Sequence, residues 1–360
     1  MRRVGLLTGG GDCPGLNAVI RAVVKALIKD HQVEVLGICD GFEGLVERRF
    51  LPLDWDRVSN ILTLGGTILG TSNRANPFRY PVKKNGQIVF EDRGADCLRS
   101  MQEEGLEALI CIGGDGTLSC ANEFSRLGVK VLGVPKTIDN DLQETDITFG
   151  FDTAVSVATE AIDRLHSTAQ AHHRAMVVET MGRNAGWLAL YSGVAGGGDI
   201  LLIPEIPFDI EKVCATVEER DRRGRRYTIV VVGEGARPRG GEQVIQRIVP
   251  ESFEKVRLGG IGNVVASEIE KRTGKEARAV VLGHLQRAGT PTAFDRVLAT
   301  RFGGEVARAL AERDFLKMVA YKDGKITRVP LTAAVACQKL VPPDHDLIRI
   351  ARSIGTTFGD

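Results

Sequence analysis

Short apolar runs that end in glycine alternate along this chain with longer stretches whose apolar positions recur at helical spacing. Residues 4–8 read as a buried strand, 9–12 as a turn and 16–29 as a helix, and 33–39 as the next strand. Further strand-like runs are 108–112, 130–134, 175–178, 200–203, 228–232 and 279–282. Helical stretches at 117–126, 153–165, 210–223, 264–272 and 295–312 fall between or after them. This alternation predicts an α/β protein with mostly parallel sheets covered by helices on both faces. Asn85-Gly86 and Asp323-Gly324 lie between strand-like segments and predict two hairpins, both read as peripheral.

A length of 360 residues suits two domains better than one, so two hydrophobic cores sharing a cleft are expected. No segment strings together enough apolar residues to span a bilayer, and the short apolar run after Met1 is too brief and glycine-broken for a secretion signal. The balance of 47 basic against 46 acidic residues gives no global field for a nucleic acid or membrane partner. Seven scattered cysteines without paired metal-ligand spacing fit free thiols in a reducing cytoplasm.

Three loops carry candidate chemistry. Gly9-Gly10-Gly11-Asp12, between a strand and a helix, is either an anion cradle of bare backbone amides or simply a tight turn. Its spacing fails the dinucleotide fingerprint, which disfavours a dehydrogenase. Gly113-Gly114-Asp115-Gly116-Thr117 repeats the strand-turn-helix arrangement and adds a carboxylate. Asp115 there reads as a magnesium ligand beside a polyphosphate, with Thr117 left to cap the helix, or as the cap itself. In Pro135-Lys136-Thr137-Ile138-Asp139-Asn140-Asp141 two carboxylates stand two residues apart. Phosphoryl transfer to an alcohol needs one group to take the hydroxyl proton and others to hold metal and position oxygen, which Asp139 and Asp141 can divide. The alternative is an exposed polar loop with solvated charges.

A phosphorylated acceptor needs cations, and the planar fork of arginine meets phosphate oxygens in pairs. Arg174, Arg183 and Arg278 stand beside strand-like runs. His284 and Arg287, three apart in Gly283-His284-Leu285-Gln286-Arg287, are expected to point the same way on a helical turn. Glu234, after the run 228–232, is placed to accept sugar hydroxyls. His172 and His173 lack a further ligand at metal spacing and read as structural.

Together these segments resemble the phosphofructokinase family, from GGGDCPGLNAVIR at residues 9–21 to GHLQRAGTPTAFDR ending at Arg296. The resemblance implies two Rossmann-like domains with the active site between them. The nucleotide-binding domain would comprise residues 1–150 plus about 286–335, and the sugar-phosphate domain 151–285 plus about 336–360. It implies that ATP binds at Gly11, Arg74, Ala75 and residues 114–117 (Gly114, Asp115, Gly116, Thr117), with Mg2+ on Asp115. Asp139 would accept the proton, with Thr137, Asp141 and Gly11 assisting and Arg183 stabilising the transferred group. Fructose 6-phosphate would touch Thr137, Ile138, Asp139, Met181, Gly182, Arg183 and Glu234. Its 6-phosphate would meet Arg174, Arg278, His284 and Arg287, with Leu285 and Gln286 also in the substrate site, and some of these arginines would come from an adjacent subunit of a dimer or tetramer.

Gly116 and Lys136 bear on the donor. Family members that use pyrophosphate carry an aspartate where this chain has Gly116, which favours ATP. Lys136 instead resembles the pyrophosphate-using and mixed branch, Cys120 also departs from the short bacterial enzymes, and the resemblance places this chain in the mixed branch with ATP as donor. The resemblance also matches Arg21 to a nucleotide effector site, but Lys25 and His166 replace arginines there, so weak or absent nucleotide regulation is expected. The alternatives are the pyrophosphate-dependent version of the reaction, a lipid or NAD kinase sharing the GGDGT turn, and a sugar-phosphate sensor without catalysis.

Overall fold

The computed structural model describes residues 1–249 and 256–360. Its strands, in chain order, are β1 (Arg3–Thr8), β2 (Glu34–Ile38), β3 (Phe50–Leu53), β4 (Tyr80–Lys84), β5 (Gln87–Glu91), β6 (Leu109–Gly113), β7 (Val131–Pro135) and β8 (Ala175–Thr180). They continue with β9 (Ile200–Leu202), β10 (Thr228–Gly233), β11 (Ile245–Ile248), β12 (Val256–Leu258), β13 (Ala277–Val281), β14 (Lys317–Lys322) and β15 (Lys325–Pro330).

Two sheets organise the described residues. The larger has the order β15-β14-β7-β6-β1-β2-β3, and the smaller β13-β8-β10-β9. The inner five strands of the larger sheet pair in parallel, while β3 and β15 join its edges antiparallel. All pairings of the smaller sheet are parallel. The α/β expectation therefore holds, and the helix expected at 16–29 is Leu16–Ala26 followed by a π turn, Leu27–His31.

Both turn signals form hairpins. Asn85 (φ 51°) and Gly86 (φ 79°) link β4 to β5, and Asp323 (φ 49°) and Gly324 (φ 78°) link β14 to β15. The second hairpin is not peripheral, however. β14 pairs in parallel with β7 and buries Met318, Val319 and Ala320, so it completes the large sheet. The hairpin turn was visible in the sequence, but the parallel pairing of β14 with β7 leaves no local signal there.

The expectation of two separate cores also needs correction. Alternation along the strands divides their side chains between faces. Val4, Leu6, Ile110, Ile112, Leu132 and Val134 from the large sheet share one cluster with Met176, Val178, Leu201, Ile229 and Val231 from the small one. The opposite faces form their own clusters, Leu7, Cys111 and Val131 in the first case and Ala175, Val177 and Val230 in the second. A continuous inner core thus fixes one sheet against the other.

In each sheet the first strand is flanked by strands reached by departing in opposite directions. Parallel α/β sheets leave a crevice beyond the carboxyl ends of strands at such switch points. In the large sheet it lies between β1 and β6, and in the small one between β8 and β13.

Candidate active site

At the first switch point the loops after β1, β6 and β7 converge on a pocket that includes Gly10, Gly11, Gly114, Asp115, Gly116 and Thr117. Lys136, Thr137, Asp139 and Asp141 line its other side, with Asn73, Arg183 and Arg287. The helix Asp115–Arg126 begins here, and Gly114 before it offers no side-chain cap. Neither Asp115 nor Thr117 caps this helix, contrary to both sequence readings, so its first amides face the pocket. That end carries the positive pole of the helix dipole and suits an anion.

Asp115 opens onto solvent in this pocket, and its hydroxyl contact from Ser119 Oγ is long at 3.5 Å. Surrounding protein raises its carboxyl pKa, against the lowering effects of Ser119 and of the Arg183 charge. An acidic group with unspent oxygens among bare amides fits a magnesium ion shared with a polyphosphate.

The first glycine turn is held from three directions. Gly10 donates its amide to Ser72 O at 3.1 Å and accepts Thr71 Oγ1 at 2.6 Å. Lys136 Nζ donates to Gly11 O, and Arg287 Nη1 to Asp12 O at 3.1 Å. A Cβ on Gly11 would stand 2.8 Å from Arg287 Nη1, so a side chain there would require the guanidinium at the end of Arg287 to shift. The neighbouring residues 73–75 divide: Asn73 lines the pocket, Arg74 is exposed, and Ala75 packs into the outer core rather than onto the pocket wall.

The loop after β7 is the clearest departure from a solvated polar loop. Lys136, Thr137, Asp139, Asn140 and Asp141 are all buried, at 3 to 8% exposure. Charges withdrawn this far from water require partners. The Asp139 amide donates to Thr137 Oγ1 at 3.0 Å, and Thr148 Oγ1 donates to Thr137 O at 2.7 Å. Asn140 adopts φ 51°, a left-handed turn, and accepts the Thr148 amide at 3.1 Å. Asp141 accepts Gln338 Nε2 at 3.2 Å. Asp139 Oδ1 is buried without a hydrogen-bond partner, an arrangement that persists where a substrate group is to be met. Ile138 between them is wholly buried in the inner core and anchors the loop.

A second pocket opens at the switch point of the small sheet, lined by Glu179, Thr180, Met181, Glu234, Gly283 and His284 among others. The chain turns at Gly182 with φ 129°, where a Cβ would stand 2.6 Å from Ala185 O. Only glycine fits both requirements. Arg183 follows at φ 52° and donates its amide to Glu234 Oε1 at 3.1 Å. This bond joins the two pockets, since Arg183 lines the first and Glu234 the second.

Burial pushes the Glu234 carboxyl from its ordinary 4.5 up to about 7, and the negative charge of Asp139 adds to the rise. The Arg183 amide and guanidinium oppose it. Between those two pH values the folded protein holds a proton that the unfolded chain has released, so stability falls as pH rises through that window. Above about 7 the buried charge costs up to about 3 kcal/mol. Glu234→Gln keeps an acceptor for the Arg183 amide. It is expected to raise the melting temperature at pH 8, with the gain shrinking toward pH 5, as scanning calorimetry at the two pH values will show.

The phosphate-binding set does not assemble within one chain. Arg174 precedes β8 and Arg278 is the second residue of β13, at the amino ends of strands whose carboxyl ends carry Met181 and His284. Six residues of β8 put these ends roughly 20 Å apart. Arg174 and Arg278 instead meet Glu276, by Arg174 Nε at 2.6 Å and Arg278 Nη2 at 2.5 Å. His284 and Arg287 also diverge, on a 3-10 turn Gly283–Arg287. His284 faces the second pocket, while the longer Arg287 reaches the first glycine turn. Leu285 is 65% exposed and lines neither pocket, and Gln286 is buried with Nε2 on Gly283 O at 3.1 Å.

Sequence reasoning missed several residues. Glu179 lies buried in the apolar run of β8 and accepts the amides of Gly260 at 2.9 Å and Gly262 at 2.8 Å, fixing the start of the helix Ile261–Thr273 on the second pocket. An acid inside an otherwise apolar strand was the available signal. Asn73, Gln338 and Lys339 carried none.

A phosphofructokinase family model matches residues 3–310. An "ATP-dependent 6-phosphofructokinase 2" of Clostridium perfringens is 49% identical over 100% of this chain and 99% of its own length. A "Pyrophosphate--fructose 6-phosphate 1-phosphotransferase" of Amycolatopsis methanolica is 53% identical over 95% of this chain and 97% of its own. Among solved structures, Pichia pastoris phosphofructokinase in the T-state superposes with a TM-score of 0.79 at 30% identity, over 98% of this chain and 36% of that longer one.

Proposed function

This chain belongs to the phosphofructokinase family, and from that membership we propose that the joined pockets transfer the terminal phosphoryl group of ATP to the 1-hydroxyl of fructose 6-phosphate. The observation that carries the reading is the position of Asp139, which lines the donor pocket while its charge acts on Glu234 in the other. A group there faces both reactants.

Asp139 takes the proton of the 1-hydroxyl as the oxygen attacks the γ-phosphorus. The bond from that phosphorus to the β–γ bridging oxygen breaks, and the electron pair leaves with ADP. Arg183 lies beside the transferring group and offsets its charge, while the free amides at Gly11 and at the start of Asp115–Arg126 hold the donor phosphates. Magnesium on Asp115, where the carboxylate fits it, would supply neutralisation of donor charge. Met181, Gly182 and Glu234 hold the sugar, with Glu234 accepting its hydroxyls.

Arg174 and Arg278 serve the 6-phosphate of a neighbouring copy, which makes a homodimer or homotetramer the working form. Arg278→Ala is expected to raise KM for fructose 6-phosphate about 10- to 100-fold with little change in kcat, the cost of a charged hydrogen bond. Mixing that variant with Asp139→Ser should restore activity in hybrid oligomers. Additive loss of activity, with no restoration, would place the arginines outside the site.

The proposed division is into two domains, residues 1–150 with about 286–335 and residues 151–285 with about 336–360, packed across the shared inner core; β14 and β15 in the large sheet and β13 in the small one are compatible with it. Free cysteines support a reducing, cytoplasmic setting, and no helix of the described residues is long and apolar enough to cross a membrane. Pyrophosphate remains the second reading of the donor, because Lys136 brings its ammonium onto the Gly11 carbonyl inside the donor pocket. A coupled assay supplying each donor in turn separates the two.

A further inference from the structure

Beyond the residues that meet the reactants, one segment links the two loops on which the transfer depends. We infer that Gln338 and Lys339 are positioning residues, forming a splint that holds the Asp139 loop and the Arg183 loop at a fixed separation. The inference rests on the reading of Asp139 and Arg183 as the groups at the transferring phosphoryl.

Lys339 Nζ donates to Asn140 Oδ1 at 3.0 Å, Thr145 O at 2.8 Å and Asp146 O at 3.0 Å. Its three protons thus pin both sides of the turn that contains the left-handed Asn140. Asn140 stands between Asp139 and Asp141, so its backbone conformation sets where both carboxylates point. A non-glycine residue held at φ 51° relaxes unless its surroundings fix it. The Lys339 amide also donates to Asp141 O at 2.8 Å.

Gln338 spans the gap. Its Nε2 donates to Asp141 Oδ2 at 3.2 Å, and its Oε1 accepts Asn184 Nδ2, next to Arg183, at 3.5 Å. The far end of the splint is tied to the arginine loop. Trp187 Nε1 donates to Lys339 O at 2.8 Å, and the Lys339 ammonium lies 5.5 Å from the Trp187 ring centroid. Glu205 Oε1 accepts both the Val341 amide at 2.8 Å and the Gly186 amide at 2.9 Å. Burial lowers the Lys339 ammonium to about 8 against the opposing charges of Asp141 and Asp146, so it is mostly charged at neutral pH.

The test is steady-state kinetics on the full-length protein with fructose 6-phosphate and MgATP, for Lys339→Met, Gln338→Leu, Asp139→Ser and the double variant Lys339→Met/Asp139→Ser. Lys339→Met is expected to lower kcat about 10- to 100-fold while both KM values stay within about threefold, as displacement of reacting groups by about 1 Å does. In the Asp139→Ser background the same change should cost less than about threefold, because the lysine acts through that carboxylate. Gln338→Leu removes only the bridging contacts and is expected to lower kcat about threefold to tenfold, so the idea survives a Lys339→Met protein that fails to fold. If Asp139→Ser cripples turnover but Lys339→Met acts equally in both backgrounds, or raises KM with kcat unchanged, the splint is overturned and the site reading stands. If Asp139→Ser leaves kcat unchanged, the site reading itself falls and takes the splint with it.

Discussion

Asp139→Ser lowers kcat on fructose 6-phosphate about 10²- to 10⁴-fold, the range that a positioned general base contributes, and changes KM for the sugar only slightly. The split follows from the geometry. Asp139 Oδ1 is buried and unpartnered, so this carboxylate is not holding up the fold by a bond that serine would break. Its backbone amide, bonded to Thr137 Oγ1, supports the loop whatever the side chain. On the proposed reading the sugar is held elsewhere, in the second pocket lined by Met181, Glu234 and His284. Stopped assays at saturating substrate, with KM measured alongside, check the result. Unchanged kcat would show that another group takes the hydroxyl proton, and absence of turnover in the unsubstituted protein would leave a sugar-phosphate sensor as the better reading.

Gly116→Asp lowers kcat/KM for ATP by about tenfold to several hundredfold and reduces use of pyrophosphate less, so donor preference moves toward pyrophosphate. Gly116 lies in the first turn of Asp115–Arg126, where an acidic side chain suits the helix dipole, and the fold should tolerate it. The donor pocket, however, already contains Asp115, Asp139 and Asp141. Another carboxylate about 4 Å from a nucleotide phosphate adds roughly 1 kcal/mol of repulsion at the dielectric of bulk water and roughly 4 kcal/mol at that of a protein surface. Pyrophosphate, with no α-phosphate and no nucleoside, escapes much of it. Lys136, already on the Gly11 carbonyl, offers compensating charge to the smaller donor. Parallel assays with the two donors measure the shift. Equal loss for both would show that Gly116 senses phosphate in general rather than the nucleotide.

Much of the fold was legible because parallel strands buried on both faces write continuous apolar runs, as β1, β6, β7 and β10 do. Glycine turns marked their carboxyl ends, where the site lies. The loop after β7 showed which residues it held but not that it is buried. That follows from Thr148, Gln338 and Lys339, far from Asp139 in sequence or without a distinctive pattern. β14 read as an edge ornament because parallel pairing with β7 leaves no local trace. Arg174 and Arg278 were recognisable as a pair by residue type, yet their place at the amino ends of β8 and β13 is a property of topology. Arg287 could be assigned to a turn but not to one of the two pockets its length can reach.

The central claim is that one crevice presents Asp139 to a ketose phosphate and bare amides to its donor. A crystal structure of the Asp139→Ser protein with fructose 6-phosphate and MgATP tests it most directly. The account predicts the 1-hydroxyl within about 3 Å of the residue 139 side chain and facing the γ-phosphate on the glycine turns. A hexose bound away from residue 139, or a nucleotide away from Gly11 and Gly114, would contradict it.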